Sequence, residues 1–473
     1  MKSITQSGSV RWALASLSLS MLMPSLDTSI ANAGLPTLAE AFDASFQHVQ
    51  WIVLAYLLAI TTLIVSVGRL GDMLGRRRLL LVGIGIFTLS SLACSVAPSL
   101  GWLVGARAVQ GLGAAIMLAL TVAFVGETVP KAQTGSAMGL LGTMSAIGTT
   151  LGPSLGGMLI ASVGWQAIFL INIPLGVLNI WLAYRYLPAD AQRAKAGRVG
   201  FDKAGTLLLA LTLAAYALAM TIGRGDFGPL NIALLLAAVF GVGLFIFVEA
   251  TVASPLITLA LFRQQGLSAS LAMSALVSTV MMATLVVGPF YLSGALGLGT
   301  ALVGFALSVG PLVAALTGVP AGRLVDRFGT RRMTLVGLAA MALGASALSM
   351  MPAGFGLLGY LAPIAVITAG YALFQAANNT AIMTDIRPDQ RGVISGMLSL
   401  SRNLGLITGA SVMGAVFALA SATTDITSAS PAAVASGMRI TFAVAVALII
   451  LALAVALLPR VSDCCTVCSN ELQ

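Results

Sequence analysis

Three ionisable side chains, Asp27, Arg107 and Arg402, lie in segments too apolar to solvate them. An ionised group at the centre of a membrane costs at least a few kcal/mol. It persists where it faces a cavity, pairs with an opposite charge or marks an ion or proton path. Asp27 is the only acidic residue well inside an apolar run. Counted at ~1.5 Å per residue from Pro36 it lies roughly 14 Å deep, and Arg107, counted the same way in its own run, lies roughly 9 Å deep. The two can meet. Protonating Asp27 would then release Arg107, and a change that differs between two conformations biases their equilibrium. A fixed ion pair that only joins two helices is the alternative reading.

Other polar groups fall at comparable depth. Gln375, Asn378 and Asn379 put three amides on one apolar segment, and Arg402 stands beside Asn403 on the next. They can touch a substrate, or they can join helices by hydrogen bonds worth about 0.6 kcal/mol on average. Met281 and Met282 offer flexible thioethers suited to varied apolar ligands. One deep acid favours lipophilic cations; two buried arginines leave neutral or anionic molecules open.

Catalytic constellations are missing. No Gly-rich phosphate loop followed by Lys and Ser or Thr occurs, and no His-Glu-x-x-His or Gly-x-Ser-x-Gly. The expectation is a non-enzyme without cofactor or metal, driven by an ion gradient in which one charge crossing 100 mV is worth about 2.3 kcal/mol. Cys464, Cys465 and Cys468 fall short of the usual four ligands of a structural zinc site. They read as a reduced, solvated tail. His48, near the outer surface, reads as solvated.

The elements that must position these groups follow from composition. Of 473 residues, 58% are hydrophobic and 8% charged, against about 25% charged in a soluble domain. A bilayer core of about 30 Å needs roughly 20 apolar residues per helix, and such runs recur along the chain. Six lie near 12–35, 49–68, 79–97, 101–126, 136–161 and 165–187. Two follow near 203–222 and 229–249, and six more near 268–292, 299–320, 333–351, 357–383, 392–420 and 437–459. The first run is too long for a cleaved leader and contains Asp27, so it is taken as a span.

With fourteen spans and both termini inside, the outer loops hold only Arg224 and Arg439. Apart from Arg107 and Arg402, the remaining Lys and Arg then fall on the inner side, the asymmetry that sets orientation. The net charge of +9 is thereby explained by topology, without nucleic acid.

The chain also repeats itself. Gly68 to Arg78 and Gly322 to Arg332, 254 residues apart, agree at seven of eleven positions, including Asp72 with Asp326 and Gly75 with Gly329. At an offset of 257, Gln133, Gly135, Gly139, Gly148, Gly152 and Gly157 match Gln390, Gly392, Gly396, Gly405, Gly409 and Gly414. Two six-helix halves in parallel orientation are one of the repeat arrangements of secondary transporters. The expected organisation is a bundle over 1–187, linkers and two inserted helices over 188–267, a second bundle over 268–460 and a tail over 461–473. The inserted pair is expected to carry no buried charge and should pack outside the twelve-helix core.

Asp72, Arg76, Arg77 and Arg78 are too charged to enter lipid. They read as a latch in which a carboxylate meets a helix N-terminus and Glu127 pairs with an arginine. Topology anchoring alone would not require Gly68, Asp72 and Gly75. Gly148, Gly152 and Gly156 recur every four residues, so one helix face is bare backbone that a neighbour can approach closely. Pro153 permits a bend.

These segments resemble the major facilitator superfamily. Gly68 to Arg78 resembles its loop signature, Arg107-Ala-Val-Gln110-Gly111 its fourth-helix signature, and Gly148-x-x-x-Gly152-Pro153-x-x-Gly156-Gly157 its exporter motif. Leu26 to Pro36, Phe201-Asp202-x-x-Gly205 and Pro255-Leu256-Ile257 are similar to the fourteen-helix drug:proton antiporter branch. Ser29, Gly34, Val325 and Thr330 depart mildly from the pattern. The resemblance implies an all-α membrane fold and alternating access, with proton transfer at Asp27 and Arg107. It also implies an outward-open state held by the latch. The expected protein is a monomeric multidrug exporter of the bacterial inner membrane, with protons, lipid and a small molecule as its partners. A nutrient importer is the alternative within transport.

Overall fold

The computed structural model describes residues 2–189, 202–221, 228–252, 255–263, 265–387, 390–421 and 430–457, and among these the regular elements are helices. The six of the first half are α1 (Lys2–Ala41), α2 (Trp51–Leu74), α3 (Arg76–Ser95), α4 (Leu100–Thr128), α5 (Thr134–Val163) and α6 (Asn172–Tyr186). The inserted pair is α7 (Lys203–Thr221) and α8 (Pro229–Thr251). The second half comprises α9 (Gln265–Phe290), α10 (Thr300–Phe328), α11 (Thr330–Met350), α12 (Gly356–Asp385), α13 (Arg391–Ala420) and α14 (Pro431–Leu457). Most of the basic linker, Arg224 and the cysteine-bearing tail lie outside the described residues.

Among the described residues, thirteen helices are long and apolar enough to cross a membrane. The fourteenth, α1, is longer than any of them but is diluted by Asp27 and its serines. Several helix ends run past the expected spans, among them α1 from Lys2 and α10 to Phe328. Pro431 starts α14 six residues ahead of the expected span, with the Ser430 hydroxyl accepting the Ala433 N–H. Proline suits a first turn because its missing N–H is unpaired there anyway. Arg439 therefore lies on a helix and not in a loop.

The two repeat loops turn on glycine. Gly75 has φ 103° and separates α2 from α3 by one residue; Gly329 has φ 85° and does the same for α10 and α11. Side chains disfavour that backbone region, so the spacing of the motif is a turn requirement.

Packing repeats with the sequence. In the first half α1 lies on α5, and α2 and α3 lie on α4; in the second, α9 lies on α13, and α10 and α11 on α12. The halves meet through α5 against α10 and α2 against α13, which are the same pairing under the repeat. Helix α7 packs on α2 and α13 at that seam, and α8 packs on α7. The pair thus sits outside the twelve-helix core, as expected. One expectation is corrected: Glu249, at the inner end of α8, is 4% exposed and Asp202 9% exposed, because both turn toward Gly205, which has no side chain to exclude them. The outward face of α8 presents Leu236, Val239, Phe240 and Phe247, an unbroken apolar patch of the kind that fits lipid.

Candidate functional site

Three constructions carry the polar chemistry. The first surrounds Asp27. Helix α1 brings Asp27 against α4, where Arg107 donates to it through Nη1, a buried ion pair with side chains 1% and 0% exposed. Arg107 also donates through Nε to the Ile52 carbonyl at 3.1 Å and through Nη1 to Gln110 Oε1 at 2.7 Å. The other carboxylate oxygen, Asp27 Oδ1, accepts from Gln110 at 2.9 Å and Asn172 at 2.8 Å. Gln110 donates in turn to Ser91 at 2.8 Å. The Tyr56 ring lies 4.2 Å from the guanidinium centre, a cation–π contact worth more when desolvated. The two charges face each other, as buried charges require, while Arg107 Nη2 has no hydrogen-bond partner among the described residues.

Sequence reasoning brought Asp27 and Arg107 together but missed Asn172 and Tyr56. Asn172, the first residue of α6, could have been noticed as an amide on a helix that is otherwise apolar there. Gln110 was legible as part of a motif though not as a partner of Asp27.

The glycine series explains how α1 gets close enough. A methyl on Gly148 would stand 2.7 Å from the Leu22 carbonyl, and one on Gly152 would stand 2.2 Å from the Ser29 hydroxyl. Gly156 faces Ile30, whereas Gly157 and Pro153 look outward. Helix α5 runs unbroken through Pro153. Two hydrogen bonds flank Asp27 on this seam: the Ser25 and Ser145 hydroxyls at 2.7 Å, and Ser29 donating to the Thr149 carbonyl at 2.8 Å.

The second construction is a cavity of about 280 Å³ between the halves. Met21, Ser145 and Thr149 line it from the first half; Met281, Tyr360, Tyr371, Gln375, Asn379 and Arg402 line it from the second. Three sequence-based assignments are corrected. Asp27 is turned toward α4 and α6 and does not reach the wall. Met282 packs on Gly409 of α13, and Asn378 donates to the Ser270 carbonyl at 3.3 Å. Arg402 is the one charged side chain on the wall, and none of the three ion pairs among the described residues includes it.

The third construction is a pair of latches at the basic end. Asp72 accepts the Gly392 and Val393 N–H groups at 3.0 and 3.1 Å, so it caps the N-terminus of α13 in the opposite half. Arg76 binds Asp72 at 2.6 Å and pairs with Glu127. Arg77 donates instead to the Tyr184 carbonyl. By repeat symmetry Asp326 accepts the Gly135 and Ser136 N–H groups at 2.7 and 2.8 Å, capping α5. Thr330 occupies the place of Arg76, so the second latch lacks the ion-pair relay. Backbones touch at both: a methyl on Gly68 would stand 2.2 Å from the Gly392 carbonyl, and one on Gly322 would stand 2.3 Å from that of Gly135. His48 is exposed and hydrogen-bonded to Ser45.

Two like halves around a central, largely apolar cavity that carries a few polar groups, each half latched onto the other, define a membrane transporter. The sequence model of the Major Facilitator Superfamily matches residues 17–410 and again 276–463, and the chain belongs to that family. Among curated relatives it is similar to the multidrug resistance protein Stp of Mycobacterium tuberculosis (strain CDC 1551 / Oshkosh), at 32% identity over 86% of this chain and 75% of the relative. It is also similar to the riboflavin transporter RibZ of Clostridioides difficile (strain 630), at 29% identity over 86% and 88%. Its fold matches the proton:xylose symporter XylE with a TM-score of 0.68 at 15% identity, covering 95% of each chain.

Proposed function

We propose that this chain is a proton-coupled exporter working by alternating access in the bacterial inner membrane, as a monomer with both termini cytoplasmic. The observation that carries the reading is the Asp27 network, a carboxylate buried inside the membrane and bolted through Ser25 and Ser29 to the α5 wall of the cavity. Protonation of Asp27 removes its pairing with Arg107, and the freed guanidinium must find new acceptors. That change reaches the cavity through Ser145 and Thr149, which gives proton and substrate one shared element. Energetic coupling of this kind is reciprocal: a proton that weakens substrate binding is itself displaced by substrate. Efflux as the direction is supported by the relative named for multidrug resistance.

The cavity favours amphipathic aromatic molecules with a neutral or anionic polar group over lipophilic cations. Its wall offers two tyrosines, two amides and the unpaired Arg402, and no carboxylate. A relative named as a riboflavin transporter fits that class.

The test is uptake into inside-out vesicles with an acidic interior. Carboxyfluorescein is the anionic probe and ethidium the cationic one. Gradient-dependent accumulation of the anion is expected. Accumulation of ethidium alone would overturn the substrate class, and accumulation that ignores the pH gradient would overturn proton coupling.

A further inference from the structure

The inserted helices meet in a buried acidic pair that transport through Asp27 does not use. Asp202 precedes α7 and accepts the Gly205 N–H at 2.8 Å through Oδ1. Glu249, in the last turn of α8, accepts the Ile257 N–H at 3.2 Å through Oε2. Their other oxygens, Asp202 Oδ2 and Glu249 Oε1, are buried and have no hydrogen-bond partner among the described residues. Both converge over Gly205, where a methyl group would stand 2.3 Å from the first and 2.7 Å from the second. The two oxygens therefore lie within 5 Å of each other, the sum of those distances.

None of the ion pairs among the described residues includes either carboxyl. Arg69 of α2 is the cation whose field reaches Glu249. Lys203 and Arg263 point to the exterior. Asp72, three residues beyond Arg69, is engaged by Arg76, and the Arg391 guanidinium lies against Gly126 of α4. No cluster of three or more potential metal ligands occurs among the described residues. Two carboxyls sharing a buried site cannot both ionise at low cost.

We propose that Asp202 and Glu249 together bind one proton, a second proton site that ties α7, α8 and the 255–257 segment into one clamp. The proton rides on one carboxyl and is donated to the facing oxygen of the other, which satisfies both orphan atoms. Its loss leaves two like charges across Gly205. The clamp then loosens where α7 rests on α2 and α13, the two helices joined by the Asp72 latch.

The experiment uses full-length Asp27→Asn protein in lipid nanodiscs, so that the Asp27 carboxyl is silent. Infrared difference spectra across a pH titration report the carbonyl stretch of a protonated, buried carboxyl. The band is expected in this parent and lost in both Asp202→Asn and Glu249→Gln, since each new amide replaces the shared O–H as donor. Asparagine can still cap α7, so folding is retained. The melting temperature of the parent falls as pH rises through the titration, and in each variant that dependence disappears. A band that persists in both variants, or no band at all, overturns the proposal. So does stabilisation by an added metal cation in place of the band, which would assign the pair to that cation.

Discussion

Replacing Gly392 with alanine should open the basic end of the molecule. The added methyl would stand 2.2 Å from the Gly68 carbonyl oxygen, while ordinary contact begins at 3.4 Å, so the α2 and α13 backbones must part by about 1.2 Å. The nearest neighbour is backbone, which cannot swing aside, and the methyl would also stand 2.7 Å from Asp72 Oδ1, the latch carboxylate itself. The Asp72 bonds to the Gly392 and Val393 N–H groups, at 3.0 and 3.1 Å, would stretch past 4 Å and fail. A hydrogen bond to a charged acceptor contributes about 1.5–3 kcal/mol, so losing both removes roughly 3–6 kcal/mol from the closed arrangement. At ~1.4 kcal/mol per tenfold change, the balance between closed and open forms moves by at least about a hundredfold. Spin labels at Leu74 and Arg387, both exposed, read the separation by double electron–electron resonance in a background free of native cysteines. The variant should populate a longer distance and lose transport. A distance distribution and a transport rate equal to the parent's would refute the idea that bare backbone contact locks this end.

The two latches should not be equivalent. Asp72 is 1% exposed and ion-paired to Arg76, whereas Asp326 is exposed and bound only by N–H groups and a hydroxyl. Breaking a buried pair costs about 3–5 kcal/mol, so Asp72→Asn should lower the melting temperature and the transport rate well beyond Asp326→Asn. Asn172→Ala removes one of the two amide donors on Asp27 Oδ1, an interaction of about 1.5–3 kcal/mol; proton-driven uptake should drop by roughly tenfold or more while the protein remains folded by gel filtration. Arg402→Gln should raise the KM for carboxyfluorescein by roughly tenfold and leave a neutral flavin unchanged; equal effects on both would place Arg402 in a structural role.

Depth was legible in the sequence; direction was not. Apolar run length and the side preference of Lys and Arg set fourteen helices, and a fixed rise per residue put Asp27 at a depth similar to that of Arg107. Which way Asp27 faces depends on how α1 rotates against Gly148 and Gly152 of α5, a packing outcome that turns it from the cavity toward Asn172. The latch shows the same division. Asp72 was readable as a carboxylate suited to a helix N-terminus, yet that N-terminus belongs to α13, 320 residues away. Repeat symmetry held the clue, since Gly135 and Gly392 are equivalent positions and each caps against the aspartate of the other half. The inserted pair was read as carrying no buried charge because nothing local distinguishes a helix end in water from one folded over a glycine.

Proton release on substrate binding tests the central claim most directly. With purified protein in weakly buffered detergent solution, the compound that vesicles accumulate is added and the pH change recorded. Wild-type protein should release protons, and Asp27→Asn should bind the same compound, measured by fluorescence, with no release. Release that survives unchanged in Asp27→Asn would contradict the account, because the carboxyl at the centre of the buried network would then not be the one that trades its proton for substrate.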